Sequence, residues 1–312
     1  MALKPMAPTA LPCDATRGDR RSTRRRPPPA LSGPMFVLPA MLVLALVLLF
    51  PLAYVIVTSF QAAGPSASLR PTLANYTRLL QDAHFGNALW NTVVFTVVSV
   101  ALHLVLGLAA ALLVHRPIVA RRLFRIALLV PWTVAPVVVG VAWKWMYNAQ
   151  FGVINDTLLR MGVLSEGHAW LGDATFAMPA VLLANVWRGF PFIMIVALAG
   201  LQAIPAEQYE AAAVDGATAV QQFRHVTLPH LRYILFVSVL LDTIWMFRHF
   251  DLVQVMTAGG PAGATDVLST LIFRTSFEYL EFTYASAMAV AMFVALFVLM
   301  MVYLRAVMRS QS

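Results

Sequence analysis

Six long apolar runs decide what this chain can fold into. They lie near residues 35–60, 88–114, 124–147, 176–201, 233–256 and 282–304. Each exceeds the ~20 residues that an α-helix needs to cross a hydrocarbon layer ~30 Å thick. A bilayer offers backbone amides no water, so only helices or a closed barrel can span it, and runs of this length without alternation select helices. The expected fold class is all-α, a polytopic membrane protein with six transmembrane helices. Composition agrees: 60% of the residues are hydrophobic and 12% charged, where a soluble domain carries about 25% charge. The two soluble domains that 312 residues would otherwise suggest are excluded. Pro51, Pro131, Pro136 and Pro191 fall inside the runs and are read as kinks, tolerated where neighbouring helices satisfy the freed carbonyls.

An even number of crossings puts both termini on one side. That side collects Lys4 and the arginines between Arg17 and Arg26, then Arg116, Arg121, Arg122 and Arg125, then Arg224 and Arg232, and finally Arg305 and Arg309, which is 15 of the 22 basic residues. Arg70, Arg78, Arg160 and Arg274 lie opposite. Acidic residues divide the other way, so the net charges are +10, −3 and, within the spans, +1, which together make the formal +8. Cations accumulate on the cytoplasmic side, so both termini are expected there in a multi-pass protein of the cytoplasmic membrane. The sequence pI of about 10.1 is then a topology signal, and no nucleic-acid partner is expected. Residues 1–34, rich in proline and arginine, read as a disordered basic cytoplasmic tail. The apolar run after them is too long for a signal-peptide core, so residues 35–312 are expected to form one membrane domain.

Other chemistry is removed by what is missing. Cys13 is the single cysteine, and Lys4 and Lys144 are the two lysines, neither of them following a glycine-rich loop. No Walker-type phosphate cradle is present, so the chain is not expected to hydrolyse ATP, to bind a metal or to act as an enzyme.

Between the fourth and fifth runs the composition changes. Residues 202–232 are small and mixed in charge, with the core EAAAVDGATAVQQFRHVTLP from Glu210 to Pro229. Residues 206–214 favour a helix, Asp215-Gly216 signals a turn or cap, and residues 217–226 can resume the helix. Ala211, Ala212 and Ala213 give a face that another backbone could approach closely.

That core resembles the EAA coupling loop found in membrane subunits of bacterial binding-protein-dependent ABC importers: Glu210-Ala211-Ala212, then Gly216, then Val226, then Leu228-Pro229, with Asp215 beside the glycine. The resemblance runs from the first apolar run to the last. Its finer pattern is that of the maltose-type carbohydrate importers, in a compact six-span form. The stretch from Asn185 to Pro191, the Phe247-Arg248-His249-Phe250-Asp251 run, Thr257-Ala258-Gly259-Gly260-Pro261 with Thr265, and Tyr284-Ala285-Ser286-Ala287 carry it. It implies a homologous second permease, two ATP-binding subunits that use ATP and Mg, an extracytoplasmic substrate-binding protein and the bacterial cytoplasmic membrane as partners. It implies no cofactor bound by this chain.

Charged side chains at membrane depth cost several kcal/mol, about 2.5 to 3.5 on the lenient insertion scale, so those in the runs ask for roles. On a helical wheel Asp242, Trp245, Met246 and His249 fall within an arc of about 100°, and the resemblance places Asn185, Trp187, Arg188 and Gly189 at site-lining positions of the fourth span. Together these eight residues are the expected substrate path, for a neutral sugar or polyol. Where the maltose-type subunit has serine and asparagines, this chain has acid, thioether and imidazole, so the sugar's identity does not carry over. Arg248 and Asp251, three apart, are expected as a structural ion pair. Two other readings remain: a similar importer for glycerol phosphate, with Arg188 or Arg248 on the phosphate, and an intramembrane enzyme using His103, Asp242, His249 or Asp251, for which no motif exists.

Overall fold

The computed structural model describes residues 32–62, 71–117 and 119–311. The expected tail of residues 1–34 therefore lies outside the described residues, except for its last three, which open the first helix. The chain divides into two units between Phe50 and Pro51. The first holds, among the described residues, the leading turns of α1 (Ser32–Ser59), and the second holds the rest of α1 and every later helix.

Among the described residues every regular element is helical. After α1 come α2 (Ala74–Gln81), α3 (Ala83–His115), α4 (Arg121–Thr133), α5 (Pro136–Met146), α6 (Val153–Arg160) and α7 (Ala177–Gln202). Next are α8 (Ala206–Val214), α9 (Ala219–Gln222), a π-helical turn (Phe223–Thr227), α10 (Leu228–Phe247), α11 (Asp251–Met256), α12 (Leu268–Phe277) and α13 (Phe282–Gln311). Among the described residues five stretches are long and apolar enough to cross a membrane: Val37–Ser59, Ala83–His115, Ala177–Gln202, Ala219–Met256 and Phe282–Arg305. The bent pair α4 and α5 makes a sixth if it crosses as one broken span.

Local chemistry sets the ends. Asp82 caps α3 by accepting from the His84 amide at 2.9 Å and receives the Tyr284 hydroxyl at 2.6 Å, which ties the start of α3 to α13. Partial burial pushes the Asp82 carboxyl up, but those bonds and one from the Phe85 amide outweigh it and hold it below its ordinary value. At its other end α3 stops at Arg116, extended before Pro117. The largest helix pair is α3 with α7, and α10 packs against both. One buried cluster, including Phe95, Val181, Met246 and Leu252, joins α3, α7, α10 and α11; a second, including Val114, Ile193, Leu201 and Leu231, lies nearer the Glu210 loop.

Two of the apolar runs are not single helices. The third bends by 96° between α4 and α5. Pro136 has no N–H and holds Ala135 extended, and Val134 is extended as well, so what reads as a kink is a break. The fifth ends its main helix at Phe247 and restarts at Asp251. The two half-helices meet, with α5 packed on α11 and the Lys144 ammonium donating to the Val255 carbonyl at 3.4 Å.

Candidate functional site

The two breaks face one cavity of about 510 Å³, within the range of small-molecule sites. Trp132 and Pro136 come from the first break, Arg188 from α7, and Trp245, Met246, Arg248, His249, Phe250 and Asp251 from the second. Irregular backbone at membrane depth is stable only when buried in protein or lining a cavity, and here the first break supplies wall and the second both wall and polar groups. The Arg188 Nε–H donates to the Val134 carbonyl at 3.1 Å, replacing the helical partner lost at the bend and leaving the other guanidinium nitrogens to the cavity. The Nε2 of His249 is buried and, among the described residues, has no hydrogen-bond partner. Its ring stacks on Phe95 with centroids 5.4 Å apart. Phe192 stands between Trp132 and Trp245, 6.4 and 4.9 Å from them by centroids, and fixes an aromatic wall.

The expected path residues divide. Arg188, Trp245, Met246 and His249 line the cavity, although His249 arrives by the break rather than along a helical stripe, because α10 has already ended. Asp242, Asn185 and Gly189 do not line it. Asp242 is 3% exposed and His103 fully buried, and His103 Nδ1 stands 2.8 Å from Asp242 Oδ2. The other imidazole nitrogen faces the Asn185 carbonyl at 3.3 Å. The Asn185 side chain donates to Ser99 Oγ at 2.9 Å and Met246 Sδ at 3.2 Å. A Cβ on Gly189 would collide with the His103 ring. The wheel showed which residues of α10 share a face and could not show that α3 brings an imidazole to Asp242. Trp187 also leaves the set: it is half exposed and meets Trp143 edge-on, with centroids 6.0 Å apart.

Arg248 and Asp251 are not paired. Three residues apart on a continuous helix they would meet, but Arg248 caps the end of α10 and Asp251 opens α11, and among the described residues no salt bridge joins them. Both line the cavity. The residues missed in the sequence are His103, read there only as a weak enzyme candidate, and Trp132, Pro136 and Phe250. His103 had a signal: a titratable group in an apolar span needs a partner, and Asp242 needed one too.

The Glu210 loop is ordered as a helix, a turn and a second helix. Gly216 takes φ +76, the left-handed position that glycine fills at a helix C-terminus, and the Ala217 amide bonds back to the Ala212 carbonyl at 2.9 Å. Thr218 and Gln221 form a capping box on α9. The π-helical turn absorbs the missing N–H of Pro229, and the Leu228 amide reaches back to Phe223. Tyr209 bonds Thr227 hydroxyl to hydroxyl at 2.9 Å, so α8 is held to the base of α10. Glu210, Ala211, Asp215 and Gly216 are exposed and Ala212 is half-buried. Val214 and Val220 flank the turn at 88% and 75% exposure, an apolar edge on a polar projection that suits a protein partner.

The Thr257 to Pro261 motif builds a loop on the opposite side of the chain from Glu210. Thr265 bonds Thr257 and the Gly260 carbonyl, both at 2.7 Å, and Asn91 donates to the Gly263 and Asp266 carbonyls. Asp266 pairs with Arg274 at 2.9 Å. Burial pushes its carboxyl above the ordinary value, against the opposing pull of Thr270 and Arg274.

With this geometry in view, residues 103–311 match the family described as binding-protein-dependent transport system inner membrane component. The chain belongs to that family. It is therefore an inner-membrane transport permease and not an enzyme. The permease is 34% identical over 259 residues to the sulfoquinovosyl glycerol transport system permease protein SmoG of Agrobacterium fabrum, covering 82% of this chain and 83% of that one. It is 41% identical over 201 residues to the trehalose/maltose transport system permease protein MalF of Thermococcus litoralis, covering 64% and 68%. Its fold is similar to a chain of a bacterial ABC transporter involved in the import of the acidic polysaccharide alginate, with a TM-score of 0.79, 21% identity and coverage of 88% and 94%. The matched region takes in His103, both helix breaks and the Glu210 loop of the permease.

Proposed function

We infer that this permease carries a sugar or polyol through the cavity at its two helix breaks, as half of a path completed by a homologous second permease. An extracytoplasmic binding protein delivers the solute, and two ATP-binding subunits, which bind the ATP and Mg, dock on the Glu210 loop in the cytoplasm, where both termini also lie. The cavity carries this reading: an aromatic wall for a sugar-ring face, with guanidinium, carboxylate and an unpartnered imidazole nitrogen for hydroxyls. Asp251 balances one of the two arginines, which favours a neutral carbohydrate over a phosphate dianion. The named sugar relatives support the solute class. Losing a hydrogen bond to a buried polar partner costs about 1 to 3 kcal/mol, so His249→Ala should cut binding-protein-dependent uptake of the solute roughly tenfold, and Trp245→Ala, which removes part of the aromatic wall, should lower it as well. Normal uptake in both variants, with the complex assembled, moves the path elsewhere, and inhibition by phosphorylated solutes alone selects glycerol phosphate.

A further inference from the structure

A second cavity, of about 570 Å³, follows α10 between α3 and α13. Its walls are apolar: Leu104 and Leu108 from α3, Leu235 and Val239 from α10, and Tyr303 from α13. The Tyr303 ring lies on Phe236 at 4.4 Å and 13°, and its hydroxyl is spent on the Phe236 carbonyl at 2.9 Å, so the wall offers no polar group there. At the end nearest the Glu210 loop stand Arg224 and Arg232, both exposed. Among the described residues neither meets a carboxylate within salt-bridge distance.

Depth and charge together select an occupant. From Leu228 to Val239, α10 rises about 16 Å at 1.5 Å per residue, about half of a ~30 Å hydrocarbon core. The groove is thus about as long as one leaflet is deep, cationic at the end nearest the Glu210 loop and apolar beyond it. A free anion has no use for the apolar floor, and a neutral tail has none for the two guanidinium groups. We propose that this groove binds the phosphodiester head of an anionic phospholipid between Arg224 and Arg232, with one acyl chain laid along Leu235 and Val239. Arg224 belongs to the π-helical turn that joins the Glu210 loop to α10, so the lipid seats against that joint.

The experiment uses the assembled complex purified into nanodiscs of mixed phosphatidylglycerol and phosphatidylcholine, with tightly held lipid read by native mass spectrometry. The wild type is expected to keep phosphatidylglycerol in preference. The Arg224→Gln/Arg232→Gln pair is expected to lose it by about tenfold or more, and Val239→Trp, which fills the floor and keeps both arginines, is expected to lose it as well. Assembly of each variant with its partner chains is checked by pull-down. Equal retention of phosphatidylcholine by the wild type, undiminished phosphatidylglycerol in both variants, or its release by excess inorganic phosphate overturns the proposal. So does a photocrosslink to the second permease from a benzophenone maleimide attached at Leu108→Cys in a Cys13→Ser background, which makes the groove a protein interface.

Discussion

His103 Nδ1 and Asp242 Oδ2 stand 2.8 Å apart, on helices α3 and α10, with side chains 0% and 4% exposed. The pair locks two spans that are 139 residues apart in the chain. Removing one partner of a buried hydrogen-bonded pair leaves the other unsatisfied, which costs about 1 to 3 kcal/mol. Asp242→Ala should therefore lower the thermal midpoint of the detergent-purified permease and its yield in the complex, while Asp242→Asn, which can still bond the imidazole, loses less. A normal melting curve for Asp242→Ala together with lost uptake would return Asp242 to the solute path.

Gly189→Ala places a methyl group in the space of the His103 ring. Overpacking of this kind costs about 1 to 3 kcal/mol, and the His103–Asp242 bond is the contact that must yield. Fluorescence size-exclusion of tagged variants checks it, with less monodisperse protein expected for Gly189→Ala than for Ala184→Gly on the same helix.

How much of the fold and site is legible in the sequence depends on range. Four of the six apolar runs and the cap-and-turn at Gly216 are written in neighbouring residues, and the structure places them as expected. The break at residues 134–135 is half visible: Pro131 and Pro136 are plain, but whether a proline kinks or severs a helix depends on what can satisfy the freed carbonyls, and Arg188 of α7 does so. The reach of α10 is overestimated, because nothing apolar in the sequence marks its end at Phe247, so His249, Arg248 and Asp251 fall on a helix that has stopped. Asp242 looks like a solute ligand for want of its partner on another span.

Gly216→Val forces a β-branched residue to φ +76, a strain of about 1 to 2 kcal/mol, and should distort the turn between α8 and α9. ATP-driven uptake is expected to fall several-fold with assembly retained, and Glu210→Lys should act at the same step by reversing the charge offered to the ATPase. Full uptake by either assembled variant removes the loop from coupling.

Orientation is tested by labelling. In a Cys13→Ser background, Ser165→Cys should react with an impermeant maleimide in intact cells, and Val214→Cys, on a position 88% exposed, should react only after the membrane is opened. The reverse pattern inverts the topology.

Met246 belongs to both halves of the site, since its sulfur accepts from Asn185 in the buried knot and its side chain lines the cavity. Trp245 also packs on Phe192 of α7 and Phe250 on Phe273 of α12, whereas Arg248 and Asp251 make, among the described residues, no salt bridge to another span. A lineage that changes its nutrient can therefore substitute at Arg248 and Asp251 with least harm to the seam between spans, whereas each change at Met246 is tested twice, once for what it carries and once for whether the protein stands.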